Sequence, residues 1–191
     1  MAFFDRGKPT EAQRAYLRAR LHGLARVSPA CADRIVEAWA VTWSNSAYRT
    51  FDDIPVSRAL LTPLLLHVNH VAELGLLLAD AFAAREGQRL DSDHLVATLL
   101  LHDVDKPMLF APGPTGTIAT ALSARMPHGV LGALLLAALG LPDIVVSTVA
   151  THATDAPFHG DHRLAMILHY ADMISIDSIL AAAGQVPFYR R

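Results

Sequence analysis

Ten histidines in 191 residues, set against a single cysteine, are the first chemically informative feature of this chain. Only His22 lies in the first third, and the rest fall between His67 and His169. An imidazole on an apolar helix is commonly a hydrogen-bonded core or surface group, but it is also the commonest nitrogen ligand of metals. His102-Asp103 ends an apolar run, VATLLLHD, and Lys106 follows three residues on. A neutral imidazole, a carboxylate and an ammonium at a helix end suit a metal and an anion. In LLLHVNHVAELGLLLA, His67 shares a helix face with Val71, Leu74 and Leu78, so it points inward. His128 opens a helix in MPHGVLGALL, and His152 closes one in VVSTVATH. Asp172 lies in the apolar ILHYADMISI, where a carboxylate is costly unless paired or metal-bound.

The elements that position these residues read as helices almost throughout. Thr10 and Gln13 form a capping box for a first helix. A second covers Ala30 to Trp43, and SNSAYRTFDDIP is a loop. Thr62-Pro63 reads as cap and first position of a long helix reaching Arg85. Asp91 or Ser92 starts the next, and KPMLFAPGPTG is a loop rich in proline and glycine. Further helices fit Ala119 to Arg125, His128 to Leu139, Pro142 to His152, and Arg163 to Ala183. Apolar spacing follows three to four residues rather than alternation, so no strand is predicted. The fold class is all-α, a single-domain helical bundle in which residues 1–56 form a helical extension packed on a core of residues 57–191.

Composition narrows the function classes. With 16 Lys+Arg against 18 Asp+Glu, the chain lacks the basic excess of a nucleic-acid polymer binder. One cysteine, Cys31, excludes a disulfide framework and a cysteine-rich metal site. The start, MAFFDRGKPT, lacks the pattern of a signal peptide. The apolar stretch between Arg125 and Asp143 is too short for the roughly 20 residues that span a bilayer. The expected compartment is the cytoplasm, with no membrane partner. Low charge and high apolarity are compatible with a homodimer.

Taken in order, His67, His102-Asp103, His128, His152 and Asp172 resemble the HD-domain superfamily of metal-dependent phosphohydrolases. HVNHVAELGLLLA is similar to the family's first-ligand helix, in the register that selects His67 over His70. LLHDVDK resembles LLHDIGK, with Asp105 in place of the glycine. The segment from His128 to His152 resembles the branch with two added histidines, although Ala153 stands where many relatives carry another. ILHYADMI resembles the final-aspartate helix. The resemblance covers roughly residues 60 to 180.

This resemblance implies a helical domain of HD type and two divalent transition metal ions, drawn from Fe, Mn, Co, Ni or Zn. It implies that His67, His102, Asp103 and Asp172 hold one ion. His128 and His152 would hold the other, with Asp103 bridging. Such a pair acidifies water and clamps phosphate oxygens. Asp103 and Lys106 are the candidate catalytic residues, Lys106 as a positive charge on a phosphoryl oxygen. His70 and His169 are candidate neighbours of the site. His159 and His162 are candidates for its entrance, while His22 and His94 lie outside the pattern. Tyr48, Arg49, Phe110, Phe158 and Tyr170 are candidate pocket residues. The expected activity is hydrolysis of a phosphomonoester or phosphodiester of a nucleotide or small metabolite. No GYP tripeptide points to the cyclic-di-nucleotide branch. The alternative is a diiron oxygenase cleaving a C–C or C–P bond, since some members share this ligand set. A third reading is a non-enzymatic metabolite-binding domain.

Overall fold

A computed structural model describes residues 3–191. The helix starts follow from local capping chemistry. In α1 (Glu11–Arg20) the Gln13 N–H donates to Thr10 Oγ1 at 3.2 Å, and the Thr10 N–H donates to Gln13 Oε1 at 2.9 Å. Ser28 caps α2 (Pro29–Ser44), one residue ahead of the expected start. Pro63 is itself the cap of α3 (Leu64–Glu86), rather than its first helical residue. Asp91 accepts the His94 N–H at the start of α4 (Ser92–Leu101). The short α5 (Lys106–Leu109) is followed by α6 (Val130–Ala138), α7 (Asp143–Ala150) and α8 (Arg163–Ala182). The fold is all-α and a single domain, as expected.

Two expectations fail between α5 and α6. The presumed loop KPMLFAPGPTG contains α5 and then strand β1 (Phe110–Gly113). It pairs antiparallel with β2 (Gly116–Ala119), Phe110 opposite Ala119 and Gly113 opposite Gly116. The expected helix over Ala119 to Arg125 does not form. The Thr120 N–H donates to Leu109 O at 3.0 Å and its Oγ1 to Met108 O at 2.8 Å, so this backbone extends the hairpin instead. Helices α6 and α7 are also shorter than expected, which leaves His128 and His152 on the turns beside them.

The core is built where α3 packs on α4 and α8, and α4 packs on α2 and α7. Gly75 permits the close approach of α3 to α4, because a Cβ there would collide with the Leu99 side chain. Trp39 of α2 is fully buried, and its Nε1–H donates to Leu100 O at 2.9 Å, two residues before His102. Leu17 and Ile35 belong to this same core. Helices α3 and α8 are each long and apolar enough to cross a membrane by length and composition alone. Here they pack on each other and carry His67 and Asp172 at their shared face.

Candidate metal centre

Four of the predicted residues are imidazoles whose outer nitrogens are all engaged. The Nδ1–H of His102 donates to Leu99 O at 2.9 Å, and that of His152 to Val149 O at 2.7 Å. Since a carbonyl only accepts, each of these rings when neutral carries its proton on Nδ1 and a lone pair on Nε2. His67 Nδ1 lies 2.9 Å from Ser175 Oγ. His128 Nδ1 lies 2.8 Å from Asp105 Oδ1. The four Nε2 atoms therefore point the same way, towards Asp103.

Asp103 faces two groups with its two oxygens. Oδ2 lies 3.3 Å from His67 Nε2 and 3.4 Å from His102 Nε2. Oδ1 lies 3.0 Å from His128 Nε2 and 3.8 Å from His152 Nε2. Asp172 Oδ1 completes the first group, 3.2 Å from His67 Nε2 and 4.0 Å from His102 Nε2. His67, His102 and Asp172 thus form one cluster, and Asp103, His128 and His152 a second, each with donor atoms within 4.8 Å of one another. The fold brings together all six residues proposed as ligands.

Backbone turns set these directions. His102 continues the helical conformation past α4, which lets Asp103 and Lys106 follow in a tight turn. Gly129 adopts φ +88°, and a Cβ there would meet Val149 O at 2.6 Å. This turn swings His128 beneath the end of α7, against the His152 ring at a centroid distance of 4.8 Å.

The electrostatics oppose burial with pairing. Burial disfavours the charge of Asp103, but Lys106 and His102 hold its carboxyl well below the usual range. Asp172 is likewise lowered, against burial, by His67 and His102. Burial opposes protonation of His128, yet Asp105 and Asp103 push its pKa up to about 10. His67 is raised in the same way, its hydrogen bonds to Asp103 and Asp172 outweighing burial. His152 is lowered, chiefly by burial. The carboxylates that favour protonation of His67 and His128 create a field that favours a cation at this place.

Lys106 Nζ donates to Asp103 Oδ2 at 2.6 Å, so the lysine is half-buried and paired rather than free at the surface. His70 joins the site through Ser175, with its Nδ1 3.1 Å from the same Oγ. His169 and His159 line a cavity that His152 also borders. His162 instead caps α8, its Nδ1 accepting the Ala165 N–H at 3.2 Å. His22 pairs with Glu73, away from the site. Tyr170 lines the His152 cavity, whereas Tyr48 and Arg49 line a different one.

Sequence reasoning missed Ser175 and the bonding role of Asp105. Ser175 lies three residues after Asp172, one turn along the same helix face, and that spacing was the available signal. Asp105 is fully buried, and besides His128 it accepts the N–H groups of Gly129 at 2.7 Å and Gly132 at 3.3 Å. Those bonds and His128 hold its carboxyl below the usual range despite burial.

No family model matches the chain, and no solved structure matches it. A curated protein of Methanocaldococcus jannaschii named dihydroneopterin 2′,3′-cyclic phosphate phosphodiesterase is 30% identical over 116 residues. The match covers 57% of this chain and 44% of that protein, so the chain spans less than half the length of this relative.

Proposed function

We propose that this chain is a metal-dependent phosphohydrolase of HD-domain type, acting in the cytoplasm on a phosphodiester of a small metabolite. The observation that carries the reading is the convergence of four imidazole Nε2 atoms on the two oxygens of one buried aspartate. His67 and His102 Nε2 lie 3.3 Å apart, and His102, held through Nδ1, offers a lone pair towards its neighbour. Such a donor set, nitrogen and carboxylate without thiolate, fits divalent transition ions. His67, His102, Asp103 and Asp172 would hold one ion, and Asp103, His128 and His152 a second. Ions so held supply Lewis-acid polarisation of a phosphoryl oxygen and an acidified water.

The chain's own groups perform the remaining tasks. Asp103 links the two clusters, so one carboxylate fixes their separation. Asp105 and the carbonyls of Leu99 and Val149 fix ring orientation, the support that tunes ligand basicity. Lys106, held beside Asp103 and partly exposed, presents an ammonium to a phosphoryl oxygen. In the net reaction water adds to phosphorus and one P–O ester bond breaks, giving a phosphomonoester and an alcohol. The named activity of the M. jannaschii relative supports phosphodiester chemistry.

The test is turnover of bis(4-nitrophenyl) phosphate and of a 2′,3′-cyclic nucleotide by purified protein with Mn or Ni, and again after chelation. Turnover should require metal and vanish in Asp103→Asn. Hydrolysis that survives both chelation and that substitution contradicts the reading.

A further inference from the structure

A cavity of about 290 Å³ opens beside the cluster, bordered by Thr151, His152, His159, Met166, His169 and Tyr170. It sits at the lower end of small-molecule pockets, roughly 300–1,000 Å³, and so suits a metabolite. His152 is the common wall, since its Nε2 also lies 3.8 Å from Asp103 Oδ1. Helix α8 joins the two regions as well, with His169 three residues before Asp172.

The lining chemistry is selective. No Lys, Arg, Asp or Glu borders the cavity among the described residues, so it presents no lysine, arginine or carboxylate charge to a ligand. It offers rings. His169 stands edge-on to Tyr170 at a centroid distance of 5.3 Å and tilted against His159 at 6.1 Å. In an edge-to-face pair one ring face is covered, and a second remains for stacking. The imidazole nitrogens of His159 and His169 make no side-chain hydrogen bond among the described residues, and Met166 adds a polarisable thioether.

Resting on the phosphodiesterase reading, we propose that this cavity is the subsite for the planar nitrogen heterocycle of the substrate. Its phosphate lies at the His/Asp clusters. The ring stacks on Tyr170, and its edge nitrogens meet the imidazole nitrogens of His159 and His169. The substrate class is accordingly a heterocycle-bearing phosphodiester, of nucleoside or pterin type, rather than an aliphatic one.

Two measurements separate this proposal from the reading beneath it. The first is calorimetric binding of adenosine and of pterin, neither of which carries phosphate, to the protein as purified. The second is the ratio of kcat/KM for a 2′,3′-cyclic nucleotide to that for glycerol 1,2-cyclic phosphate. Tyr170 is 57% exposed and His169 also lies at the surface, so truncation leaves the core intact. Tyr170→Ala and His169→Ala should each weaken ring binding and lower the ratio about tenfold, the scale of one stacked base. Ring binding that weakens in the variants without turnover of either diester supports the subsite and contradicts the phosphodiesterase reading. Turnover with a ratio near unity, or a ratio unmoved by both substitutions, overturns the subsite and leaves the reading standing.

Discussion

Asp105 stands where the resembling family carries glycine, and its carboxylate accepts three hydrogen bonds: from His128 Nδ1 at 2.8 Å, Gly129 N at 2.7 Å and Gly132 N at 3.3 Å. One side chain therefore closes the start of α6 and fixes a proposed ligand. Asp105→Ala would leave these donors buried and unpaired, and should destabilise the protein by about 3 kcal/mol. Its metal affinity should fall roughly 10- to 100-fold. A urea titration and a metal titration read the two effects, and an unchanged urea midpoint would refute the structural one. Lys106 has a different fate. Lys106→Ala should retain metal while kcat/KM for a phosphodiester falls about tenfold or more, as for loss of one charged stabiliser. Equal kcat/KM in the two proteins would remove Lys106 from the mechanism. At this scale the sequence was legible for His67, His102, His128, His152 and the two aspartates, because chemistry restricts which types can serve. Ser175 was not, since a serine in an apolar helix announces nothing until the fold sets it 2.9 Å from His67 Nδ1.

Among elements, the helices with side-chain caps were the most legible. Thr10 and Asp91 each accept a backbone N–H three residues on, which is a local signal needing no tertiary information. The hairpin was hidden for the opposite reason. Its strands are four residues long and nowhere fully buried, so no alternating apolar pattern marks them, and Pro112, Gly113, Pro114 and Gly116 read as loop. The turn at Gly129 matters more to the site. It combines φ +88° with a backbone carbonyl where a Cβ would be, and no soft side chain can yield there. Gly129→Ala should destabilise the fold by about 2 kcal/mol or more and lower metal content, by displacing His128. Thermal unfolding together with elemental analysis checks this, and wild-type values for both would contradict it.

For the whole molecule, the apolar core runs without a break from Leu17, Ile35 and Trp39 to Leu99, Val149 and Leu168. Leu17, Ile35 and Trp39 come before residue 56, and Leu99, Val149 and Leu168 after it. Trp39 lies against Phe51 at 5.3 Å and holds Leu100 O close to His102. We expect residues 57–191 alone to lose cooperative unfolding, since α4 would expose the face that α2 covers. A single sharp transition in that fragment, followed by circular dichroism, would show that the extension is dispensable. This core converges imidazole and carboxylate on Asp103 from α3, α8 and the turns beside α4, α6 and α7. Anomalous diffraction from crystals grown with Mn tests it most directly. Two peaks about 3.5–4 Å apart are expected, beside the Asp103 carboxylate. An absence of anomalous density among His67, His102, His128, His152 and Asp172 at saturating metal would contradict it.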